Sequence, residues 1–173
     1  MTGKTIKLGT WNSETIEWLV LKEEGVFKLV LSKNPVIDMQ LSTSGTWAST
    51  NFRSWLNEDF YTQAFTEKEK EKIVSAKLED VNCKDNVFLL SKDEAETLMT
   101  QSERKRGNGS CAGRCYECLN CEALGMCWWL RTLHISDCNH FKVHCNYFVA
   151  QGGGVAYSSG TNLIRPAMYI IED

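Results

Sequence analysis

The sequence of 173 residues predicts an α+β fold. Three observations lead to this prediction. Short stretches rich in β-branched and aromatic residues lie near both ends of the chain, separated by turn-forming residues. The middle of the chain carries apolar residues at helical spacing, and two Ser/Thr-x-x-Glu sequences mark further helix starts. One domain over residues 1–173 is expected, because at this length folding can bury about 70% of the unfolded surface.

Strands are predicted near the N-terminus over residues 5–8, 16–21 and 26–32. Glu24 and Gly25 separate the second and third strands and favour a hairpin between them. Pro35 is expected to end this part of the sheet, and residues 38–45 are expected to form a loop.

The next prediction is an amphipathic helix over residues 51–61, with Ser49 or Thr50 as its N-cap. The apolar residues at helical spacing are Phe52, Trp55, Leu56 and Phe60.

Two capping-box sequences indicate two further helices. Thr66 and Glu69 open a charged helix that is expected to run to about Lys77. Ser91 and Glu94 open a short helix to about Met99. Residues 86–90 between them are expected to form a short buried strand, and residues 101–110 a basic, solvated loop.

The C-terminal part is predicted to contain strands on either side of a polar stretch. Residues 141–149 alternate as one strand, which would turn His144 and Asn146 outward. Residues 167–171 are expected to form a terminal strand that pairs back into the sheet. Trp128 and Trp129 should fill two different packing spaces, because neighbouring side chains of an extended segment point to opposite faces.

Composition argues against several classes of partner. With 19 basic and 22 acidic residues the net charge is -3, so no overall field favours nucleic acid or an anionic membrane. No signal peptide is recognisable, and no stretch approaches the roughly 18 apolar residues of a membrane span. A cytoplasmic location is therefore expected for the sequence as given, unless it belongs to a longer system displayed on a phage particle or a cell surface. The eight cysteines are then expected to be mostly free thiols.

The motifs resemble a bacterial domain family of unknown function along essentially the whole chain. They include an opening Ile-x-Trp-x-Val-Leu strand, a Thr-Trp…Arg-x-Trp-Leu-Asn…Phe-Tyr helix, a Val-Phe-Leu-Leu-Ser strand, Trp-Trp-Leu-Arg and a late Arg-Pro-Ala. These begin here at Ile16, Thr46, Val87, Trp128 and Arg165. The chain departs from the family at Thr132 and Leu133, where Ser and Pro are usual, and in its cysteine-rich residues 111–127.

The layout also resembles the C-type lectin-like fold in its formylglycine-generating-enzyme branch. This resemblance implies that residues 1–106 form a frame and residues 107–173 form a ligand-displaying part with an antiparallel sheet. Two to three helices are expected in such a domain. The frame would also use five residues near the displayed surface: Trp128, Trp129, Arg131, Arg165 and Pro166.

Residue usage in the ligand-displaying part suggests a further resemblance. From residue 132 to residue 162, Lys142 and Gln151 are the only residues that cannot arise when the adenines of a pyrimidine-ending Asn codon are randomised. This usage resembles the variable proteins of diversity-generating retroelements, in which such randomisation also yields cysteine, histidine and glycine. The alternative is that β-loops rich in Gly, Ser and Asn are naturally poor in Lys and Glu.

Metal binding and catalysis are the two alternatives to ligand display. Four cysteines fall within eleven residues and could hold a structural zinc, although zinc modules usually separate two Cys-x2-Cys pairs by a spacer. They are Cys111, Cys115, Cys118 and Cys121. An oxidase of the formylglycine-generating kind would need a specific late cysteine pair, and the spacing of Cys138 and Cys145 does not distinguish such a pair from chance.

The sequence therefore favours a non-catalytic binding module without cofactor, whose ligand is a protein or a surface glycan. Calcium-dependent sugar binding is disfavoured because the loops lack clustered carboxylates. Tyrosine supplies contact area at low entropic cost, and Ser, Asn and His supply adaptable hydrogen bonds. The expected ligand-contacting residues are Tyr116, Asn120, His134, Ser136, Asn139, His140, His144, Asn146 and Tyr157.

Overall fold

A computed structural model describes the chain at residues 3–40, 46–104, 128–134, 139–143, 149–150 and 162–172. These residues form a mixed α+β structure made mostly of strands, which confirms the predicted α+β class. The strands make a first sheet, a second sheet and a small two-stranded ribbon. No helix within the described ranges is long and apolar enough to cross a membrane.

The strands of the described residues are β1 (Thr5–Trp11), β2 (Glu14–Glu24), β3 (Phe27–Ser32), β4 (Ile37–Met39), β5 (Ile73–Val74), β6 (Ala76–Leu78), β7 (Cys83–Asp85), β8 (Trp128–His134), β9 (Asn139–Val143), β10 (Val149–Ala150), β11 (Asn162–Ile164) and β12 (Ala167–Ile171). The α-helices are α1 (Asn51–Trp55), α2 (Tyr61–Ala64), α3 (Glu67–Lys70), α4 (Lys92–Leu98) and α5 (Gln101–Arg104). A 3-10 turn (Trp47–Ser49) precedes α1, and a π-helical turn (Leu56–Phe60) joins α1 to α2.

The first sheet combines the N-terminal strands with the C-terminal strand in the order β1-β2-β3-β12-β5. All its pairs are antiparallel. Asn12 and Ser13 make the tight turn between β1 and β2 with φ values of 49° and 66°. The three predicted N-terminal strands are confirmed, and the predicted terminal strand is β12.

Gly9 interrupts the regular pairing of β1. The register shifts between Lys7 and Thr10, and Gly9 has a φ of +73°. Its N–H donates to the Glu69 carboxylate at 2.9 Å. The irregularity in β1 therefore ties the first sheet to α3.

The second sheet has the order β10-β9-β8-β11-β4. The antiparallel C-terminal sheet that the sequence predicts is present as β8, β9 and β10. Beyond it the pattern differs, because β11 joins β8 in parallel and β4 comes from the N-terminal half. Parallel neighbours need a long connection, and the chain between β8 and β11 supplies one.

The predicted amphipathic helix is confirmed and reaches Ala64, three residues beyond its expected end. Thr50 is its N-cap, since its hydroxyl accepts a hydrogen bond from the Arg53 N–H at 3.3 Å. In the π-helical turn, Asn57 accepts from the backbone N–H groups of Asn86 and Val87. The helix thereby fixes the buried segment that follows β7.

Both predicted capping boxes are present at the starts of α3 and α4. The predicted length of α4 is also confirmed, but the helix from Thr66 ends at Lys70 and does not reach Lys77. Ile73 and Val74 instead pair with Ile170 and Tyr169 of β12. Pairing of two β-branched residues with a distant strand overrides the local helical preference.

Three other local predictions need correction. Residues 38–45 are not all loop, because β4 pairs with β11. Residues 101–104 form the helical turn α5 rather than a loop. Residues 141–149 are not one strand, because Val149 of β10 pairs back onto Val143 of β9. Alternation of apolar residues does not reveal where a chain reverses, so two short strands satisfy the same pattern.

In the predicted strand over residues 86–90, residues 87–90 are buried, but its pairing with the described strands is one bridge between Phe88 and Ala167. The two residues exchange backbone hydrogen bonds of 2.9 and 2.7 Å. Residues 87–90 belong to one cluster of buried side chains that also includes Trp18 and Phe52. This cluster supports the base of the second sheet.

Candidate functional site

The candidate site lies on the second sheet, at the end of the hairpin that β8 and β9 form. Backbone pairing sets His134 opposite Asn139 and Leu133 opposite His140. Strand pairing therefore brings together three of the expected ligand-contacting residues. The other six lie outside the described residues, and they are Tyr116, Asn120, Ser136, His144, Asn146 and Tyr157.

Trp128 and Trp129 hold the base of this hairpin in two different environments, as alternation in an extended strand predicts. The Trp128 indole N–H donates to the carbonyl oxygen of Arg104 at 3.2 Å. The Trp129 indole N–H donates to the carbonyl oxygen of Met39 at 2.9 Å, and its ring centroid lies 5.4 Å from that of Phe52. One indole thus joins β8 to α5, and the other joins it to β4 and α1.

Arg131 fastens β8 to the frame through all five of its guanidinium N–H groups. Nε and Nη2 donate to the two carboxylate oxygens of Asp80, both at 3.0 Å. Nη1 and Nη2 donate to Glu94 at 2.7 and 3.1 Å, and Nη1 also donates to the carbonyl oxygen of Leu89 at 2.8 Å. The side chain is only 4% exposed, so these bonds replace the water that would otherwise solvate the guanidinium.

The charge of Arg131 is stable in this setting. Burial by itself would lower the pKa of the guanidinium, but the hydrogen bonds and negative charges of Glu94 and Asp80 outweigh it and raise that pKa. The residue therefore remains positively charged and has a structural role, rather than one in proton transfer.

Thr132 connects the same strand to the start of α4. Its hydroxyl oxygen accepts a hydrogen bond from the backbone N–H of Lys92 at 2.8 Å. Lys92 is the first residue of α4, where backbone N–H groups lack partners within the helix. A hydroxyl at position 132 thus satisfies one helix-start N–H.

Arg165 fixes the far side of the second sheet. Its guanidinium donates to the carbonyl oxygens of Ser32, Lys33 and Glu103 at distances of 3.0 to 3.4 Å. It also lies 4.8 Å from the centroid of the Trp128 ring, in the position of a cation–π contact. One fully buried side chain therefore joins β3, α5 and β8.

The five residues predicted to belong to the frame near the displayed surface are all buried: Trp128, Trp129, Arg131, Arg165 and Pro166. The sequence indicated the two arginines by their motifs but not their partners. Glu94 was recognisable as a capping-box residue, and the same carboxylate also binds Arg131. Asp80 carried no sequence signal, because nothing local shows that a carboxylate after β6 faces β8.

Metal chemistry finds no support among the residues that the structure describes. They contain no group of three or more His, Cys, Asp and Glu side chains that could hold a metal ion. The cysteines of the zinc alternative, Cys111, Cys115, Cys118 and Cys121, lie outside the described residues.

Comparison with known proteins adds one finding. No curated protein and no solved structure matches the chain at a significant level. Residues 16–171 match a family described as a domain of unknown function, DUF6273. This match spans nearly the whole chain and contains both sheets except β1 and the start of β2. The chain is therefore a member of the DUF6273 domain family.

Proposed function

We propose that this protein is a single non-catalytic binding domain that recognises a protein or a surface glycan through residues 107–173. The observation that carries the proposal is the way in which the flanks of the polar segment 133–163 are fixed. On one side β8 is held by Trp128, Trp129 and Arg131, and on the other Arg165 is held by three carbonyl oxygens. A rigid base of this kind allows a surface to vary without loss of the fold.

The same arrangement supports a C-type lectin-like frame. A tryptophan-bearing strand and a late arginine bracket the polar segment, which is the layout that the sequence resemblance implies. Within the segment, His134 and Asn139 meet across a strand pair at the hairpin end. Small polar and aromatic side chains on such a base suit adaptable recognition.

We further propose that the segment is diversified by a retroelement. Randomisation of the adenines in pyrimidine-ending Asn codons can produce every residue type found between residues 132 and 162, with the exceptions of Lys142 and Gln151. Abundant cysteine and histidine then reflect the substitution chemistry and need no metal.

Sequencing of this locus from many related strains or phages tests the proposal. We expect substitutions to concentrate at Asn-type codons between residues 107 and 162, with a reverse transcriptase gene nearby. If the four cysteines from Cys111 to Cys121 instead stay constant while their neighbours change, diversification is wrong and zinc should be assayed in the purified protein.

An unfolding experiment tests whether the expected ligand-contacting residues are dispensable for folding. Alanine at all seven expected contact residues from His134 to Tyr157 should change the free energy of unfolding by less than about 1.5 kcal/mol, because the proposal places them on the surface, where substitutions usually have small effects. Urea unfolding followed by circular dichroism measures it. Loss of the folded state in this variant would show that the residues are structural. They are His134, Ser136, Asn139, His140, His144, Asn146 and Tyr157.

A further inference from the structure

A pocket of about 260 Å³ opens beside the turn that joins β1 to β2. Among the described residues, those that line it belong to β1, β2, the turn between them and the chain after β3, and not to the strands of the candidate site above. Its walls come from the first hairpin and from the chain that follows β3. The lining residues are Lys7, Trp11, Asn12, Glu14, Thr15, Ile16, Glu17, Asn34, Pro35 and Val36.

Trp11 gives this pocket an immobilised aromatic wall. Its indole N–H donates to the carbonyl oxygen of Val36 at 3.1 Å. Its ring packs edge-on against Trp55 with 5.5 Å between centroids, and it also packs against Phe60 at 5.1 Å. The side chain is nevertheless only half-buried. A large apolar surface is thus held in place and left partly open, which a binding pocket needs.

The polar groups around Trp11 are exposed and varied. Asn12, Asn34 and Thr15 offer amide and hydroxyl groups that can both donate and accept hydrogen bonds. Glu14 adds a carboxylate acceptor. Such a mixture matches a ligand that carries many hydroxyl groups, because each hydroxyl also donates and accepts.

The charges of the pocket nearly cancel. The lining residues Lys7, Glu14 and Glu17 carry one positive and two negative charges, and Glu17 is paired with the neighbouring Lys33 at 2.5 Å. The hydrogen bond from Lys33 is also the main cause that lowers the pKa of Glu17, so this carboxylate stays ionised and paired. A pocket without surplus charge has no preference for a phosphate, a carboxylate or an ammonium ligand.

We infer that this pocket binds one neutral sugar unit. The C–H groups on one face of a pyranose ring would pack on the Trp11 ring, whose face is electron-rich, while its hydroxyls bond to the surrounding amides and carboxylate. The site is additional to the proposed display surface and does not depend on it. Five of its residues precede residue 16, where the family match begins, so it is not a feature that the family match supplies.

The test starts with the purified protein on an array that carries neutral hexose and N-acetylhexosamine oligomers, with uronate oligomers for comparison. The strongest neutral oligomer and its free monosaccharide are then titrated in solution while tryptophan fluorescence is recorded. We expect neutral sugars to bind and uronates to bind no better. Absence of binding by every neutral sugar would overturn the inference, as would binding of uronates alone. A response to the oligomer but not the monosaccharide would identify a glycan chain rather than a free sugar as the ligand.

Two variants locate the site. Trp11→Ala should weaken binding at least about tenfold. Because Trp11 also packs on Trp55, its loss can unfold the protein, and Asn12→Gly provides the second variant. Asn12 has a φ of 49°, which glycine tolerates, so this change removes the amide and keeps the turn.

Asn82→Gly is the matched control, since Asn82 has a φ of 50° in another turn and does not line the pocket. Affinity should fall in Asn12→Gly and stay constant in Asn82→Gly. Equal affinity in the wild type and Asn12→Gly, together with a folded Trp11→Ala that still binds, would show that sugar binding occurs elsewhere.

Discussion

At the scale of single residues, Arg131 shows how a buried charge can be accommodated. Its partners Asp80 and Glu94 are themselves 39% and 22% exposed, so the desolvation falls mainly on the arginine. A buried ion pair adds less stability than its number of bonds suggests, but removal of one partner is costly because the remaining groups lose their bonds.

We therefore expect Arg131→Met to lower the free energy of unfolding by about 3 kcal/mol. Methionine removes the cation–π contact with Phe88 and the guanidinium donors to the Leu89 carbonyl and the Asp80 carboxylate, and it leaves Glu94 with its capping-box bond from Ser91. Urea unfolding measures the change. Lys77→Met is the control, because its pair with Glu79 is exposed and should contribute less than about 1 kcal/mol. Equal effects of the two substitutions would contradict a fastening role for Arg131.

Gly9 and Gly25 provide a second residue-scale test, because both have a positive φ but different surroundings. A Cβ on Gly9 would lie 2.6 Å from the Phe65 ring and 2.7 Å from the carbonyl oxygen of Ala64, whereas a Cβ on Gly25 meets nothing within 4 Å. Gly25→Ala should cost about 1 to 2 kcal/mol from backbone strain alone. Gly9→Ala should cost about 1 to 3 kcal/mol more from overpacking, as measured by thermal unfolding. Similar costs would show that α2 moves to accept the methyl group.

At the scale of elements, the Glu69 carboxylate both caps the start of α3 and binds β1. Glu69 accepts the backbone N–H of Thr66 in the capping box and the backbone N–H of Gly9 in β1. Burial alone would raise the pKa of Glu69, but these hydrogen bonds lower it below its ordinary value of 4.5.

A lowered pKa in the folded state predicts the direction of a pH effect. The ionised carboxylate stabilises the fold fully above pH 4.5, and this contribution is lost as the pH falls through the lower folded-state pKa. Unfolding of the wild type should therefore become easier below pH 4.5, and Glu69→Gln should reduce that dependence. Glu67→Gln is the control, since its carboxylate is 91% exposed. Identical pH profiles for wild type and Glu69→Gln would rule out the proposed role.

Elements whose signals are local could be predicted from the sequence. The hairpin of β2 and β3, the helix capped by Thr50 and both capping boxes depend on residues within a few positions of each other. Elements that need a distant partner were missed. Ile73 and Val74 become a strand only because β12 lies beside them, and Ile37–Met39 becomes a strand only because β11 does.

For the candidate site too, the sequence predicted the parts with local signals and missed those that depend on distant residues. The motifs around Trp128 and Arg165 indicated the frame, since large buried side chains have few alternatives to packing. The pairing of His134 with Asn139 follows from a reversal after β8 that no residue pattern marked. The Trp11 pocket was also missed, because its walls join residues separated by a strand and a turn.

At the scale of the whole molecule, β12 connects the two ends of the described fold. It lies between β3 and β5 in the first sheet, and Phe88 bridges to it. Its buried residues include Ala167, Met168 and Ile170. Without β12, β5 would have no strand to pair with in the first sheet, and β3 would become an edge strand.

Truncation after residue 166, which keeps Arg165, should abolish cooperative unfolding, because β3 and β5 lose their shared neighbour and the core loses the apolar side chains of β12. Circular dichroism during heating measures the loss of a sharp transition. Removal of residue 173 alone is the control, since it leaves β12 in place together with Glu172, which pairs with Lys28 and bonds to the carbonyl oxygen of Val26. A cooperative transition in the longer truncation would mean that the N-terminal strands fold without β12.

The position of β12 also has a consequence for synthesis on the ribosome. Arg165, next to β12, contacts Ser32 at the end of β3 across 133 positions of the chain. The hairpins of β1, β2 and β3 can form early, but β3 then keeps an open edge while most of the described sequence is still being translated. An open strand edge can pair with other chains. Newly made copies should therefore benefit from a chaperone until β12 emerges.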